Sequence, residues 1–287
     1  MTKQILESMA KGLDSMRSVL KGYNLIEVFT PILHNRFDFP EKSHFQLKEN
    51  EIFTENLFLR ICMELRLRQL LKFSTSNGVY EIGACFRKEL EPGRICEFHM
   101  LELFEIKPNY EELFEQIIDL CQTVNNVNYG SSLNIDIIPV SDLVSDMEID
   151  SFRRASKNDQ DFITQFETCL NTKLENINKN KRAYIVCDYP VETMSVARRK
   201  KDNSGLIERF ELFIDGIEIG HGFTDSIDAD DVESRMKKLG WRDDALLVQL
   251  RNNELPESGG FGIGIERLIQ ISLGITSIKD MVVSQIL

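Results

Sequence analysis

The 287-residue sequence lacks several features that mark common functional classes. Its six cysteines form no Cys-x-x-Cys pair and show no metal-ligand spacing, which predicts reduced thiols and neither a structural zinc nor a disulfide. No apolar run approaches the roughly 20 residues needed to cross a bilayer, and the first residues lack the order of a signal peptide. We therefore expect a cytoplasmic protein that does not enter a membrane.

Basic residues are also fewer than acidic ones. The chain has 34 Lys and Arg residues against 46 Asp and Glu residues, a net charge of −12, which argues against a broad cationic surface for nucleic acid or an anionic membrane. No internal repeat and no low-complexity tract is present. The 42% hydrophobic content is ordinary for a globular chain, and the length allows one large domain or two small ones.

The apolar pattern groups strands in blocks with helices between them. Apolar residues recur at helical spacing from Ile5 to Leu20. Two β-runs, at 78–89 and 97–107, are joined by a loop with proline and glycine and predict an antiparallel hairpin; a second hairpin follows at 209–223. Residues from about 140 to 182 read as a charged helical insertion. The pattern predicts an α+β fold with a mainly antiparallel β-sheet flanked by helices.

The first hairpin displays charges and an aromatic ring among apolar positions. Because side chains alternate along a strand, Arg87 and Glu89 share one face of the first β-run, and Phe98 and Glu102 share one face of the second. Both faces of the second run carry apolar groups, so Glu102 needs a cationic partner. From the residues alone, a structural salt bridge and a cationic ligand are equally open.

The second hairpin places two carboxylates together. Asp215-Gly216 is the preferred two-residue turn, and the resulting register pairs Glu211 with Gly220. Glu211 and Glu218 then lie on one face as diagonal neighbours. Two carboxylates this close repel unless a cation lies between them, and such oxygen ligands suit Mg²⁺ carried by a polyphosphate. Surface carboxylates that face water are the alternative, which the apolar neighbours disfavour.

A third element, GGFGIGIERL, runs from 259 to 268. Its glycines at 260, 262 and 264 would let a ligand approach the backbone of a strand, although tight packing of a strand on a helix would use the same glycines. Arg267 lies just inside the helix that follows. The stretch matches neither the Walker loop, because no GKS or GKT follows it, nor the dinucleotide fingerprint.

Together the three elements resemble the motifs of the class II aminoacyl-tRNA synthetases, in the same order, and within that family the lysyl branch. LIEVFTP, which starts at Leu25, is similar to the first motif, which carries the dimer interface; FRKE with EFHMLE is similar to the second and GFGIGIERL to the third. The flanking stretches LRICMEL, CDYPVETMSVARR and RFELFIDGIEIGHGFTDSIDADD are similar to the lysyl branch. The resemblance covers nearly the whole chain from Gly22 and implies a single catalytic domain over 1–287.

The resemblance implies that ATP activates lysine or a lysine-like amino acid as an aminoacyl adenylate, with Mg²⁺ as cofactor and no protein nucleophile. Arg87 and Arg267 would be the catalytic residues. By the same resemblance, ATP would bind Arg87, Glu89, Arg94, Glu97, Phe98 and Arg267; the amino acid would bind Glu64, Glu102, Asp225 and Gly262; and Mg²⁺ would bind Glu211 and Glu218.

The acyl acceptor is less closely defined by the resemblance. Only about twenty residues precede the first motif, whereas full lysyl-tRNA synthetases carry an N-terminal OB-fold domain that reads the anticodon. In this respect the chain resembles the EpmA (PoxA/GenX) group, which attaches a lysine-type residue to a lysine of elongation factor P. We therefore favour a protein lysine or carrier as acceptor over tRNA, with a catalytically silent regulatory paralogue as a third hypothesis. A homodimer through the first motif is also expected.

Three pocket positions depart from the lysyl pattern. His221, Asp225 and Phe104 stand where the lysyl branch usually has Asn, Glu and Tyr. In the simple hairpin register His221 lies on the face opposite Glu218, unless the neighbouring glycines create a bulge.

Overall fold

The computed structural model describes residues 2–35, 45–47, 57–88, 93–130, 132–179 and 182–282. The chain divides into two compact units. The first comprises Met1–Ile106, Glu115–Ser132 and Phe261–Leu287, and the second comprises Lys107–Phe114 and Leu133–Gly260. Among the described residues, no helix combines the length and the apolar character that a membrane span requires.

Helices and strands follow one another along the described residues. In chain order they are α1 (Thr2–Gly22), β1 (Leu25–Glu27), β2 (Leu33–His34), β3 (Gln46–Leu47), β4 (Leu57–Leu59), α2 (Glu64–Leu70), β5 (Gly78–Phe86), β6 (Glu97–Ile106), α3 (Tyr110–Tyr129), β7 (Ile135–Pro139), α4 (Asp146–Ala155), α5 (Asp159–Ile177), β8 (Ala183–Pro190), β9 (Leu206–Ile214), β10 (Ile217–Thr224), α6 (Ala229–Lys238), α7 (Asp244–Arg251), β11 (Ser258–Gly264) and α8 (Ile265–Ser272).

The first unit is built around the hairpin of β5 and β6. These strands pair antiparallel from Gly78 opposite Glu105 to Phe86 opposite Glu97, which confirms the first hairpin. β1 lies parallel to β5 on the other side, and β11 follows β6 in the strand order. The stretch from 25 to 34 is divided between two sheets, because β2 leaves this sheet and pairs with β4 in a small three-stranded sheet.

The second unit carries the strand order β10-β9-β8-β7. β9 is antiparallel to both of its neighbours, while β7 and β8 are parallel. The sheet is therefore mostly antiparallel and flanked by helices, as the blocks of strands predicted. No element was expected at β7 or at α7.

Two helices, α4 and α5, occupy the charged stretch before β8. A capping box begins α4, since the Ser145 hydroxyl accepts from the backbone N–H of Glu148 and the Glu148 carboxylate accepts from that of Ser145. The charges of α5 lie beside an apolar stripe at helical spacing. Phe166 on this stripe packs edge-on against Tyr189 of β8, with ring centroids 6.1 Å apart. The buried residues of α5 are Phe162, Phe166, Leu170 and Leu174.

Candidate active site

Arg87 and Phe98 lie together where the first hairpin opens. The backbone N–H of Arg87 donates to the Cys96 carbonyl at 2.8 Å. The hairpin pairing therefore continues one residue beyond the end of β5 and the start of β6. The Arg87 guanidinium carbon is 5.3 Å from the centroid of the Phe98 ring, within the range of a cation–π contact. A half-buried ring can stack on a base, and a guanidinium beside it can bind a phosphate.

Glu102 is almost fully buried in the middle of β6. Its exposed fraction is 4%, and its Oε2 accepts a hydrogen bond from the backbone N–H of Met63 at 2.8 Å. Burial raises the pKa of this carboxyl to about 7, against the Met63 hydrogen bond and the charges of Arg87 and Arg60, which lower it. Glu64, which begins α2, follows Met63 directly. A carboxyl with a pKa near neutral pH can lose its proton when an ammonium group binds beside it.

Gly262 of β11 lies against the same part of β6. A Cβ atom added there would lie 2.8 Å from the Met100 methyl and 3.3 Å from Cγ of Glu102. The space above this glycine is thus filled by side chains of β6, which favours packing at Gly262 over the open approach to the backbone that the glycine run also allowed. A residue larger than glycine at 262 would crowd the side chains of Met100 and Glu102.

Arg267 is the third residue of α8 and is partly exposed. Its neighbour Glu266 fixes the start of this helix to β6. The Glu266 carboxylate accepts from the backbone N–H of His99 at 2.9 Å and lies 2.7 Å from its ring Nδ1. This hydrogen bond raises the pKa of His99. His99 directly follows Phe98, so Glu266 ties the helix of Arg267 to the strand of the stacking ring.

The remaining predicted ATP ligands lie in and near the loop between β5 and β6. Glu97 begins β6 with an exposed side chain, and Arg94 is partly buried in the loop that precedes it. Glu89 lies outside the described residues.

The second hairpin turns as predicted and then departs from the simple register. Asp215 and Gly216 have φ of 50° and 77°, which a type I′ turn requires. Glu218 pairs with Phe213, in the register that the two-residue turn imposes. The register then shifts between Glu218 and Gly220, so the expected pairing of Glu211 with Gly220 is wrong.

A β-bulge therefore decides what Glu211 faces. Beyond the shift, Gly220 pairs with Leu212 and His221 pairs with Glu211. Directly opposed residues of antiparallel strands project to the same face, so Glu211, Glu218 and His221 all share one face. His221 does not lie on the opposite face, as the simple register predicted, and its Nδ1 is 3.9 Å from Oε1 of Glu218. The shared face of the two glutamates survives the bulge.

Glu211 already has partners from the protein. Tyr189 donates to its Oε2 at 2.7 Å, and the Arg209 guanidinium forms an ion pair with its Oε1. Arg209 also lies over the Tyr189 ring, 4.6 Å from the centroid, and is itself largely buried. These contacts hold the Glu211 carboxylate in one orientation, with Arg209 partly offsetting the two acidic charges.

Asp225 lies at the end of this hairpin, just beyond β10, and is 1% exposed. The Ser258 hydroxyl donates to its Oδ2 at 2.6 Å, and its backbone N–H donates to the Ser258 carbonyl at 2.8 Å. Asp225 is thereby fixed against β11 within the second unit.

Comparison with known proteins identifies the family. A family model described as tRNA synthetases class II (D, K and N) matches residues 1–283. The chain belongs to this family of class II tRNA synthetases. The three motifs read from the sequence are therefore those of a class II synthetase domain.

Three relatives of this synthetase domain share the name lysine–tRNA ligase. Lysine–tRNA ligase of Prochlorococcus marinus (strain MIT 9301) is 30% identical over 322 positions, which cover 98% of this chain and 62% of the relative. The ligase of Buchnera aphidicola subsp. Schizaphis graminum (strain Sg) is 29% identical, covering 97% and 62%. That of Chloroflexus aurantiacus (strain ATCC 29366 / DSM 635 / J-10-fl) is 27% identical, covering 98% and 64%. The chain spans between three fifths and two thirds of the length of these curated relatives.

The carboxylates of the second hairpin fit the Mg²⁺ that the synthetase family implies. Glu211 and Glu218 present hard oxygen donors on one face, and Mg²⁺ bound through phosphates needs only one or two carboxylates. Within the described ranges, no group of three or more His, Cys, Asp or Glu side chains could hold a metal by itself. The donor set thus fits a metal that arrives with a nucleotide.

Sequence reasoning missed four residues that shape this synthetase domain. Arg209 and Tyr189 orient Glu211, and Glu266 holds His99. Arg60, which lies between β4 and α2, forms a buried ion pair with Glu81. Arg209 and Glu266 stand inside the recognised stretches RFELF and GIERL and could have been noticed there. Nothing in the sequence joins Tyr189 to Glu211, which lie on different strands.

Proposed function

We propose that this chain uses ATP to activate lysine, or an amino acid with a similar cationic side chain, as an aminoacyl adenylate. The observation that carries the proposal is the buried Glu102 carboxyl, which is held by Met63 and has a pKa of about 7. A carboxylate in such a position binds an ammonium group more strongly than one in water does. The membership of the family and the names of the relatives, lysine–tRNA ligase, support this choice.

The chemistry consists of one displacement at phosphorus. The substrate carboxylate forms a bond to the α-phosphorus of ATP, the bond from that phosphorus to the bridging oxygen breaks, and pyrophosphate leaves with the electron pair. Arg87 binds the α-phosphate and neutralises the charge that develops there, while Arg267 binds the γ-phosphate. When bound by Glu211 and Glu218, Mg²⁺ would supply further charge neutralisation to the phosphates.

The other proposed contacts divide between the two substrates. Phe98 stacks on the adenine ring, Glu89 and Glu97 bind on the adenine side, and Arg94 binds phosphate. Glu64 binds the α-amino group of the amino acid. Glu102 and Asp225 bind the side-chain ammonium, and Gly262 leaves room for the Glu102 side chain. Asp225 is one methylene shorter than the usual glutamate, which suits a longer or bulkier cationic side chain.

Two acceptors are candidates for the second step. The printed names of the relatives support tRNA. A protein lysine on a partner resembling elongation factor P, or a carrier, is compatible with the net charge of −12, which disfavours a broad surface for nucleic acid. Transfer of a radiolabelled amino acid to purified tRNA, or to an acceptor protein, in parallel reactions distinguishes the two.

We also propose a homodimer through the first motif. The segment after β1 exposes large apolar side chains, and 82% of Phe29 is exposed. Several large apolar side chains exposed within one short segment favour a protein interface there. Ile26 of β1, Ile32 and Leu33 at the start of β2 are also exposed.

Amino-acid-dependent exchange of pyrophosphate into ATP tests the proposed activation step. A panel of the standard amino acids with ornithine and β-lysine should give the highest exchange with a cationic member. An uncharged amino acid as the best substrate would contradict the role of Glu102. Absence of exchange with every member, in protein that binds ATP and Mg²⁺, would contradict the activation step itself.

A further inference from the structure

Arg60 is a fully buried arginine that none of the proposed substrate contacts uses. It is 2% exposed. Its Nε donates to the Ala84 carbonyl at 2.7 Å, and its Nη1 donates to Oε1 of Glu81 at 2.7 Å and to Oγ1 of Thr30 at 3.0 Å. Glu81 is 2% exposed, and its second oxygen accepts from the backbone N–H and the hydroxyl of Thr30 at 2.9 and 2.7 Å.

The backbone of Arg60 is fixed as firmly as its side chain. Its N–H donates to the Ile32 carbonyl at 2.9 Å, and its carbonyl accepts from the N–H of Phe86 at 2.9 Å. These bonds hold residue 60 between the segment that follows β1 and the end of β5. Arg60 is therefore the anchored end of the short connection, 60–63, that runs from β4 to α2.

The next residues of this connection touch two groups of the candidate site. The Ile61 carbonyl accepts from Nε of Arg87 at 3.4 Å. The Met63 N–H donates to Oε2 of Glu102 at 2.8 Å. The connection 60–63 belongs to no helix or strand, so its shape depends on how its ends are anchored.

The fold makes specific room for the buried guanidinium. A Cβ atom at Gly83 of β5 would lie 2.2 Å from Nη2 of Arg60 and 3.2 Å from the sulfur of Met63, so this position excludes every larger residue unless the guanidinium moves. Replacing a buried ion pair by apolar residues is often neutral or stabilising. Apolar residues would therefore fill this space at least as stably, so space filling alone does not explain the Arg60–Glu81 pair.

We propose that Arg60, held by Glu81, is a positioning residue that fixes the connection 60–63 and thereby orients Arg87 for phosphate and Glu102 for the substrate ammonium. The proposal rests on the proposed function for the identity of the substrates. It deepens that function by adding a pair of residues that touch neither substrate and set the geometry and charge of two residues that do.

The pKa of Glu102 distinguishes this role from a merely structural one, because it responds to the charges of Arg60 and Glu81. The charged and titratable groups that act on Glu102 are Arg60 and Arg87, which lower its pKa, and Glu81, which raises it. The thiols of Cys62 and Cys85 also interact electrostatically with it. Removing Arg60 should therefore make Glu102 harder to ionise, whereas removing the charge of Glu81 should make it easier.

The test compares Arg60→Gln, Glu81→Gln and Arg60→Lys with the unmodified chain. The acidic limb of the pH profile of kcat/KM for the amino acid, in pyrophosphate exchange, should move to higher pH in Arg60→Gln and to lower pH in Glu81→Gln, each by roughly half a unit. Arg60→Lys keeps the charge but loses the fork of donors, so the limb should stay while kcat falls roughly tenfold. Arg17→Gln, which breaks the ion pair of Arg17 with Glu27 in the same unit, is the matched control and should leave the limb in place.

A second measurement separates this proposal from the proposed function. Titration of the Glu102 carboxyl by NMR of ¹³C-carboxyl-labelled glutamate, assigned by the resonance that Glu102→Gln removes, needs no activity. Opposite shifts in Arg60→Gln and Glu81→Gln support the charge coupling even if the unmodified chain shows no exchange. Shifts of the same sign, or none, in variants that keep the native circular dichroism spectrum overturn it. If Arg60→Gln does not fold, Glu81→Gln and Arg60→Lys decide the outcome: a lower pKa of Glu102 in Glu81→Gln with an unchanged pKa in Arg60→Lys supports the coupling, and an unchanged or higher pKa in Glu81→Gln overturns it.

Discussion

The backbone N–H of Met63 donates to the carboxylate of Glu102 across 2.8 Å, in an environment that leaves Glu102 only 4% exposed. This bond joins the residue before α2 to the middle of β6. Because a single N–H offsets only part of the cost of burying a charge, the pKa of Glu102 stays raised, at about 7. An ammonium ligand would complete the compensation that Met63 begins.

Glu102→Gln should stabilise the ligand-free protein above neutral pH. In the folded chain the pKa is raised from 4.5 to about 7, so between these values the folded carboxyl holds a proton that the unfolded one has lost. Stability therefore falls as pH rises from about 4.5 to about 7. At pH 8 the variant should be more stable by up to about 3 kcal/mol, measured by urea unfolding.

The same variant separates stability from function. Glutamine can still accept the Met63 hydrogen bond but cannot neutralise an ammonium, so amino-acid-dependent exchange should fall at least roughly a hundredfold. Glu97→Gln, at the exposed start of β6, should leave stability unchanged. Equal stability of Glu102→Gln and the unmodified chain at pH 5 and pH 8 alike would show that Glu102 is not desolvated.

Arg87→Ala should abolish exchange and leave the fold intact. Its guanidinium contacts Phe98 and the Ile61 carbonyl without filling the core, and the proposed phosphate contact supplies charge stabilisation of several kcal/mol in the transition state. Loss of kcat by roughly a thousandfold or more is expected from initial rates. Lys88→Ala removes an exposed cation next to it and should retain activity; equal loss in both variants would reject the assignment.

His99→Asn should weaken the protein more at low pH than at high pH. The pKa of His99 is raised by its hydrogen bond with Glu266. The stabilisation is therefore fully present below the unfolded pKa near 6.5 and is lost as pH rises through the higher folded pKa. Because about half of the side chain is exposed, the effect should stay below about 1 kcal/mol.

Thermal unfolding at pH 6 and pH 9 measures this difference. The Tm gap between His99→Asn and the unmodified chain should close at pH 9. Glu266→Gln should give the same pH dependence, with an additional constant loss because its carboxylate also accepts from the His99 backbone. A gap that widens with pH would contradict the ion pair.

Glu211 and Glu218 should differ when each is replaced by glutamine. Both variants are expected to raise the Mg²⁺ concentration that gives half-maximal exchange, because each loses a charged oxygen donor. Glu211→Gln alone should also destabilise the protein by about 2 kcal/mol, since it leaves the buried Arg209 without its carboxylate. Magnesium titration and thermal unfolding of the two variants, with Asp150→Asn on α4 as a surface control, measure the contrast; equal stability of Glu211→Gln and Glu218→Gln would exclude the role of Arg209.

Phe29→Asp should shift the protein towards monomer. Phe29 has the largest exposed apolar side chain of the segment after β1, and a carboxylate buried in an apolar interface is strongly unfavourable. Sedimentation velocity over a concentration series measures the change, with Phe73→Asp, a second exposed phenylalanine outside that segment, as the control. A dimer unaffected by Phe29→Asp but lost in Phe73→Asp would place the interface elsewhere.

Much of the fold follows from local signals. The strand-to-helix step at β11 and α8 and the turn at Asp215-Gly216 each depend on residues adjacent in sequence, and the structure has both. The register of the second hairpin was predictable for its first two pairs, because the turn fixes them. It failed at Gly220, because a bulge reflects which side chains must be buried further along the strand, and Ile219 is 1% exposed.

The sequence by itself determined the class II synthetase motifs, the mainly antiparallel sheet and the residues proposed to bind a nucleotide, since alternation and turn chemistry act over a few residues. The tertiary structure alone decided which polar groups meet: His221 with Glu218, Arg209 and Tyr189 with Glu211, and Arg60 with Glu81. A buried charge takes its partner from whatever the packing of distant segments brings within a few ångströms. That choice depends on desolvation and geometry, which no short stretch of sequence contains.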